Sequence, residues 1–534
     1  MYRAVPPDLA RAYREAGWWD DATLASTLAE TLGTAAGLAF RIWSSERPYR
    51  GRLGQVADAA RRLAGGLAEN GIRPGDAVVL QLPNWAEAAV ALWGAALAGC
   101  VLVPVAHTYG PKELGFILEA CGARALLTAG RFGRLDYSAA LADHRRRCPG
   151  LEVVAVVGEA SFDDLIAGPA STAPAGPDPD APAVIAFTSG TTAEPKGVVH
   201  THRTLLAELR QISALATPAA SRPRLIGSPV GHVTGMLGGL MMPVMQGEPI
   251  NLIDRWEPPV VLDALIEADL SAGGGATYFL TSLLDSPDFG PRHLAHLTHL
   301  TLGGAPIPAS VAERAHALGI SLTRAYGSTE HPSTTAGNHD DPPERRVQTD
   351  GRPLPGVEIR LDQQGQIWSR GPDLCAGYTD PALTRETFDA DGWYATGDIG
   401  VLDPDGYLTI TDRLKDVIIR GGENISAAEV EQALSAMPEL AEVAVVAAPD
   451  SRFGEHACAF VRVRPGSEAP DLQAVRAALD AAGLGRQKWP EELRYVDDFE
   501  RTPSGKVKKF VLRRLLAPPL KPPDTPANRT WSRP

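Results

Sequence analysis

Between Leu53 and Leu127 the chain alternates amphipathic segments (VADAARRLAGGLAENG, AEAAVALWGAALAG, KELGFILEACG) with short apolar runs (AVVLQL, VLVPV, ALLTA). Apolar residues recurring three or four apart give a helix one buried stripe, while short unbroken apolar runs suit strands covered on both faces. The alternation therefore predicts βα units around a largely parallel sheet.

The pattern changes along the chain. AGPASTAPAGPDPDAPA, ending at Ala183, reads as a surface loop leading into the strand AVIAF, and another βα series runs from there to about residue 335. Next, VEIRLDQQGQIWSRG and GVLDPDGYLTITDR alternate polar with apolar residues around DQQG and DPDG turns, which predicts hairpins. Beyond Arg413 the order is strand, helix (SAAEVEQALSAM), two strands (EVAVVAAPD, HACAFVRVRP), helix (DLQAVRAALDAAG) and a strand near Leu493 to Val496, before a Pro-rich tail. With 534 residues the chain exceeds what one core fills. The expected fold class is α/β: a large N-terminal domain, residues 1–412, of α/β subdomains with an added β-rich subdomain, then a small α+β domain, residues 413–534.

A net charge of -13 offers no basic face for a phosphate backbone, so nucleic acid is not an expected partner. Five scattered cysteines without a CxxC pair suggest neither disulfides nor zinc. There is no signal-peptide core and no apolar run of membrane-spanning length, so the expectation is a cytoplasmic protein without a membrane partner. His293, His296 and His299, and the pair His200 and His202, lack the carboxylates or thiols that complete a catalytic zinc site. GxSxG, the serine-hydrolase elbow, is absent.

The sharpest motif follows the strand AVIAF: Thr188, Ser189, Gly190, Thr191, Thr192, Ala193, Glu194, Pro195, Lys196, Gly197. Small hydroxyl and glycine residues can turn backbone N-H groups and hydroxyls toward phosphate oxygens, and a lysine adds a point charge. It is not a Walker A loop, because Pro195 and Gly197 stand where that motif needs glycine and a hydroxyl residue.

Five further stretches follow in order: Gly303 to Pro306 (GGAP), Ala325 to Glu330 (AYGSTE), Gly392 to Asp398 (GWYATGD), Asp412 to Ser426 (DRLKDVIIRGGENIS) and Arg501 to Lys509 (RTPSGKVKK). With the phosphate loop they resemble the adenylate-forming superfamily of acyl- and aryl-CoA ligases, peptide-synthetase adenylation domains and luciferase. The wording is most similar to aryl and alicyclic acid ligases such as cyclohexanecarboxylate-CoA ligase, and the resemblance covers nearly the whole chain.

The resemblance implies ATP, Mg2+ and coenzyme A as reactants and cofactors, and a small C-terminal domain that moves between half reactions. Thr188, Ser189, Gly190, Thr191, Thr192 and Lys196 would hold the β- and γ-phosphates. Gly304, Ala305, Pro306, Ala325, Tyr326, Gly327, Ser328 and Ile410 would line the nucleotide site, with Tyr326 stacking on adenine. Thr329 would bond the α-phosphate, Asp398 and Arg413 would approach the ribose, and Glu330 would ligate Mg2+, a hard cation suited to carboxylate oxygen. Lys506 would be the catalytic lysine, stabilising charge on the phosphoryl oxygens. Lys415 falls at the family's hinge position, and Gly421, Gly422 and Glu423 fall on the loop that would meet the pantetheine arm of CoA.

Ser228 to Val244 (SPVGHVTGMLGGLMMPV) resembles the acyl-pocket segment, with His232, Val233, Met236 and Gly238, together with Gly304, as pocket residues. Gly235, Gly238 and Gly239 would leave room beside Met236 and Leu237, which points to a bulky apolar acid, alicyclic, aryl or fatty. Two alternatives stay open: an adenylating enzyme that loads a carrier protein, and a specialist that only thioesterifies a preformed acyl-adenylate. A homo-oligomer and a role in fatty-acid or secondary metabolism are open too. The chain departs from the family at Ala193, where the usual loop has glycine; if φ is positive there, alanine costs about 1 kcal/mol.

Overall fold

The computed structural model describes residues 2–171, 178–188, 195–215, 222–304, 307, 309–421, 423–501 and 506–516. Ser189, Gly190, Thr191, Thr192 and Ala193 of the phosphate loop, Ala305, Pro306, Gly422 and the Pro-rich tail lie outside the described residues. The chain forms two compact units: Met1–Leu414 with Arg501–Lys506, and Lys415–Glu500 with Val507–Pro534.

In the first unit the expected βα units are present. Ala77–Gln81, Val101–Pro104 and Ala125–Ala129 are parallel neighbours in a seven-stranded sheet that continues through Val153–Val157 on one side and Pro182–Thr188 on the other. Each of the three central strands is buried along nearly its whole length, which explains their unbroken apolar runs. The helices Leu53–Glu69 and Ala86–Leu97 pack on this sheet and on each other. Gly94 permits that approach: a Cβ there would sit 2.8 Å from the Ala60 carbonyl and 2.7 Å from Leu63.

A second sheet orders Ser271–Ala272, Arg224–Ile226, Ile250–Ile253, Ala39–Trp43 and Tyr49–Arg52, parallel except for its last pair. Strands from distant parts of the chain thus meet in one sheet, an assembly that local periodicity does not disclose. A third, four-stranded sheet opens with the parallel pair His299–Gly303 and Ser321–Tyr326. The expected hairpins form the antiparallel sheet Glu358–Leu361, Gln366–Arg370, Tyr394–Leu402 and Leu408–Arg413. Their turns are built by side chains: Asp362 Oδ1 accepts from the N-H of Gln364 and Gln366, and Asp403 Oδ1 from those of Asp405 and Tyr407.

The second unit is α+β. Leu440–Asp450 and Gly454–Val463 pair over their full lengths, Ile418–Arg420 and Glu423–Ile425 make a short hairpin, and Glu492–Tyr495 runs parallel to Gly454–Val463. Its helices Ala427–Leu434 and Leu472–Ala481 start at Ser426 and Asp471, each of which accepts a hydrogen bond from the backbone N-H three residues on. Among the described residues no helix is long and apolar enough to cross a membrane.

Candidate active site

The strand Ser321–Tyr326 ends in a loop that carries Gly327, Ser328, Thr329 and Glu330. A Cβ at Gly327 would collide with the Pro332 carbonyl, so the loop can close only with glycine there. The closure is held by Ser328 N-H to the His331 carbonyl, 3.0 Å, and Thr334 N-H to the Tyr326 carbonyl, 3.0 Å.

Tyr326 Oη donates to Asp398 Oδ2 at 2.8 Å, and Arg413 Nε lies 2.9 Å from Asp398 Oδ1. Asp398 and Arg413 are direct register partners of antiparallel strands, which places both side chains on one face. Burial and the Asp398 charge push the Tyr326 phenol well above its ordinary range, so it remains a donor at every working pH. Ile410 packs beside Tyr326, and its N-H donates to Asp350 Oδ2 at 2.8 Å. Asp350 is anchored by Arg324 at 3.0 Å. Motifs seventy residues apart in sequence thereby share one wall.

Glu330 Oε1 accepts from Tyr378 Oη at 2.8 Å, and the Glu330 carbonyl accepts from Cys375 N-H at 2.9 Å. The same 375–379 segment bonds the strand that carries Lys196, through Ala376 N-H to the Val199 carbonyl and Thr379 N-H to the Gly197 carbonyl, both 2.8 Å. Gly197 is required, since a Cβ would lie 2.8 Å from the Thr379 side chain. Lys196 faces Thr188 as the last pair of the hairpin whose connection is the phosphate loop. His200 Nε2 donates to the Thr329 carbonyl at 2.8 Å, leaving Nδ1 to accept from Thr204 Oγ1 at 3.3 Å. Burial lowers the His200 pKa, which keeps that neutral tautomer.

Gly303 lies so close to the next strand that a Cβ would be 2.7 Å from the Ala325 carbonyl, while Gly304 has φ +77° and open space around it. His232 caps the short helix Val233–Met236, which runs on through the π-helical turn Leu237–Met241. Helix widening of this type is frequent at functional sites. His232 Nε2 is buried without a protein partner among the described residues, and so is His107 Nδ1. Burial lowers both rings from 6.5 to about 4; His107, then Lys506, adds to the effect at His232. Gly238 has no neighbour within 4 Å of its would-be side chain, in keeping with room for a ligand. Gly235 and Gly239 serve packing instead: the first abuts the Pro229 carbonyl, and the second would bring a Cβ to 3.0 Å from Leu252. Met236 is fully buried and Val233 half-buried, both within or against the main apolar core.

In the second unit Gly421 adopts φ +59°, and its N-H donates to the Phe453 carbonyl at 2.8 Å. Glu423 is exposed in the hairpin opposite Arg420. Lys415 is the first residue of this unit, and its carbonyl accepts from Arg513 at 3.3 Å.

Several residues here carried no signal in the sequence. Tyr378 and Asp350 are ordinary strand or loop residues until the fold brings them to Glu330 and Ile410, and His200, weighed in the sequence only as half of a metal pair, instead meets Thr329. His107 follows the strand Val101–Pro104, and only its buried, unpartnered nitrogen marks it. The other histidines singled out earlier make protein contacts: His202 Nδ1 accepts from Leu24 N-H, His293 Nδ1 from Gly290 N-H, and His296 Nδ1 lies 2.6 Å from the Leu270 carbonyl.

The family model described as AMP-binding enzyme matches residues 52–379, and that described as AMP-binding enzyme C-terminal domain matches residues 429–506. The medium-chain fatty-acid–CoA ligase of Escherichia coli is 33% identical, over 94% of this chain and 92% of that protein. A methyl-dioxo-octahydro-indenyl propanoyl:CoA ligase of Rhodococcus jostii is 36% identical, over 86% of this chain and 92% of that one. Among solved structures, ATP-bound MatB from Rhodopseudomonas palustris superposes with a TM-score of 0.84 at 27% identity, covering 93% of this chain and 99% of its own. Matched over more than half its length by one model and followed by the companion C-terminal domain, this chain belongs to the AMP-binding enzyme family.

Proposed function

We propose that this enzyme is an AMP-forming acyl-CoA ligase that activates a bulky apolar carboxylic acid. The observation that carries the reading is the convergence of Tyr326, Asp398 and Arg413 on one wall with Glu330 on the adjoining loop. That arrangement offers an aromatic face, a carboxylate and a guanidinium to a nucleoside, with a second carboxylate toward its phosphates. The E. coli and R. jostii relatives support the acid class, since the first acts on medium-chain fatty acids and the second on an octahydroindenyl propanoyl group.

In the first half reaction a carboxylate oxygen of the acid bonds to the α-phosphorus of ATP while the bond to the departing pyrophosphate breaks. In the second, the CoA sulfur bonds to the acyl carbon and AMP leaves. Asp398 and Arg413 hold the ribose, and Tyr326 and Ile410 face the adenine. Asp398 already accepts two protein bonds, yet a carboxylate has about four acceptor sites, which leaves capacity for the ribose hydroxyls. His200 pins the Thr329 carbonyl and so orients that loop toward the α-phosphate. Lys506 brings an ammonium to the developing negative charge, and its influence on His232 joins it to the acyl-pocket segment. His232 is neutral at neutral pH, so it hydrogen-bonds the acid without competing with Lys506 as a cation.

Glu330 fits Mg2+: it is a half-buried carboxylate with one oxygen already fixed by Tyr378, in a chain segment continuous with Thr329. Bound there, the ion would neutralise charge on the phosphate oxygens. Lys196, Thr188, Ser189, Gly190, Thr191 and Thr192 complete the phosphate side of the proposal, with Gly304, Ala305 and Pro306 between nucleotide and acid. Gly421, Gly422 and Glu423 are proposed to meet CoA after the C-terminal domain turns about Lys415.

The test is pyrophosphate release with a panel of aryl, alicyclic and fatty acids, followed by thioester formation with CoA. Release followed by acyl-CoA is the expected result. No release with any acid, but thioester from a supplied acyl-adenylate, would replace this reading with that of a thioesterifying specialist. Release without CoA transfer would point to a carrier-protein acceptor.

A further inference from the structure

Behind Glu330 lies a polar cluster that the reaction as described does not use. Glu208, on the helix His202–Ala214, is 1% exposed, and Asp373 is fully buried. Glu208 Oε1 accepts from Ser333 Oγ at 2.6 Å. Asp373 Oδ1 lies 3.2 Å from His331 Nε2, and His331 Nδ1 lies 2.8 Å from Ser369 Oγ. The remaining oxygens, Glu208 Oε2 and Asp373 Oδ2, are both buried and have no hydrogen-bond partner among the described residues. Both carboxyl groups pack on the 331–333 segment, Glu208 through Ser333 and Asp373 through His331, and each feels the other's charge. Two ionised carboxylates buried side by side repel each other with little screening, and no protein donor among the described residues reaches these two oxygens. One proton between them satisfies both orphaned oxygens at once.

We propose that Glu208 keeps its proton and donates it to Asp373, and that this carboxyl pair fixes His331 and so makes Glu208 a positioning residue for the neighbouring Glu330. Every hydrogen-bond direction then follows. Ser333 donates to Glu208, Glu208 to Asp373, His331 Nε2-H to Asp373, and Ser369 to His331 Nδ1. His331 is the residue after Glu330, so fixing its ring fixes the backbone from which the Glu330 carboxylate extends. Gly371 leaves space for the contact: a Cβ there would lie 2.8 Å from both Asp373 Oδ1 and His331 Nε2. Burial and the Asp373 charge raise the Glu208 pKa well above 4.5, in keeping with a retained proton. The other charged or titratable groups that act on this cluster are His331, His200, Cys375, Arg3 and Tyr13, of which Arg3 is half-buried and donates to the carbonyls of Leu374 and Cys375.

The inference concerns the metal–nucleotide step and rests on the ligase reading for its kinetic consequence, but the proton is testable without it. Glu208→Gln retains a donor toward Asp373 and an acceptor for Ser333; Glu208→Leu retains neither. Outer-shell partners of metal ligands typically cost ten- to a hundredfold when removed, so Glu208→Leu should raise the KM for Mg·ATP in pyrophosphate release by about tenfold. Thioester formation from a supplied acyl-adenylate should be unchanged in the same variant, and Glu208→Gln should restore the KM to within about threefold of wild type. Equal losses in both half reactions, or a Gln variant as impaired as the Leu variant, would overturn the positioning role.

The second readout is thermal. A carboxyl whose folded pKa is raised contributes stability that is present below its unfolded pKa and is lost as pH rises toward the folded value. Glu208→Gln has no such loss, so its Tm relative to wild type should climb as pH rises above the ordinary carboxylate range. Parallel curves would show that Glu208 holds no proton. If no acid releases pyrophosphate, the ligase reading fails while this thermal comparison still decides the carboxyl pair.

Discussion

Tyr326 and Asp398, 72 residues apart in the chain, are joined by a 2.8 Å hydrogen bond inside a wall that leaves Asp398 only 5% exposed. The bond orients the carboxylate proposed to face the nucleoside, and Arg413 holds its other oxygen. Removing the acceptor would strip the ribose of its proposed anchor and take from both Tyr326 and Arg413 the carboxylate they meet. Asp398→Ala should therefore raise the KM for ATP by about tenfold or more, measured by pyrophosphate release. Tyr326→Phe deletes one neutral donor and should cost about 1 kcal/mol of nucleotide affinity, or about fivefold in the same KM.

Lys506→Ala should lower adenylation by about a hundredfold or more, because the ammonium proposed to meet the developing phosphoryl charge is lost. The same variant should still convert a supplied acyl-adenylate to thioester. Comparable losses in both half reactions would contradict the division of labour between them.

Lys415 begins the second unit. Proline there fixes φ near -65° and limits rotation about that bond. Lys415→Pro should slow thioester formation selectively and spare pyrophosphate release, as read by the two half-reaction assays. A variant unaffected in both would remove Lys415 from the hinge.

His232 and His107 are half-buried, each with one ring nitrogen fully enclosed, and their pKa values are lowered from 6.5 to about 4. The unfolded chain then binds more protons than the folded one between those values, so stability must fall as pH drops from about 6.5 toward about 4. Above about 6.5 the two rings contribute no slope. His107→Phe should flatten the low-pH decline in Tm, measured by a series of thermal melts, without changing the curve at neutral pH.

Gly327→Ala should destabilise the first unit by about 2 kcal/mol, since overpacking against a backbone carbonyl has no side chain to yield. Denaturant unfolding gives the magnitude. Gly238→Ala, where nothing lies within 4 Å, should leave stability unchanged and shift only the acid preference.

The sequence by itself determined the element types wherever period and burial coincide. The apolar runs AVVLQL, VLVPV and ALLTA became central strands because both their faces are covered, and DQQG and DPDG became turns because aspartate and glycine supply the bonds and the positive φ that turns need. The ordered motifs likewise marked Tyr326, Glu330, Asp398 and Lys506 as residues of interest, through their resemblance to the adenylate-forming superfamily. What only the tertiary structure decided was partnership. Nothing in the local pattern joins Ala39–Trp43 to Ile250–Ile253, Tyr378 to Glu330, or Glu208 to Asp373, because such pairs depend on long-range packing that no window of sequence contains. Glycines show the same division. Gly235, Gly238 and Gly239 look alike in the chain, yet a backbone carbonyl meets the first, a leucine meets the third, and open space surrounds the second. Their meaning is set by the atoms that folding brings against them.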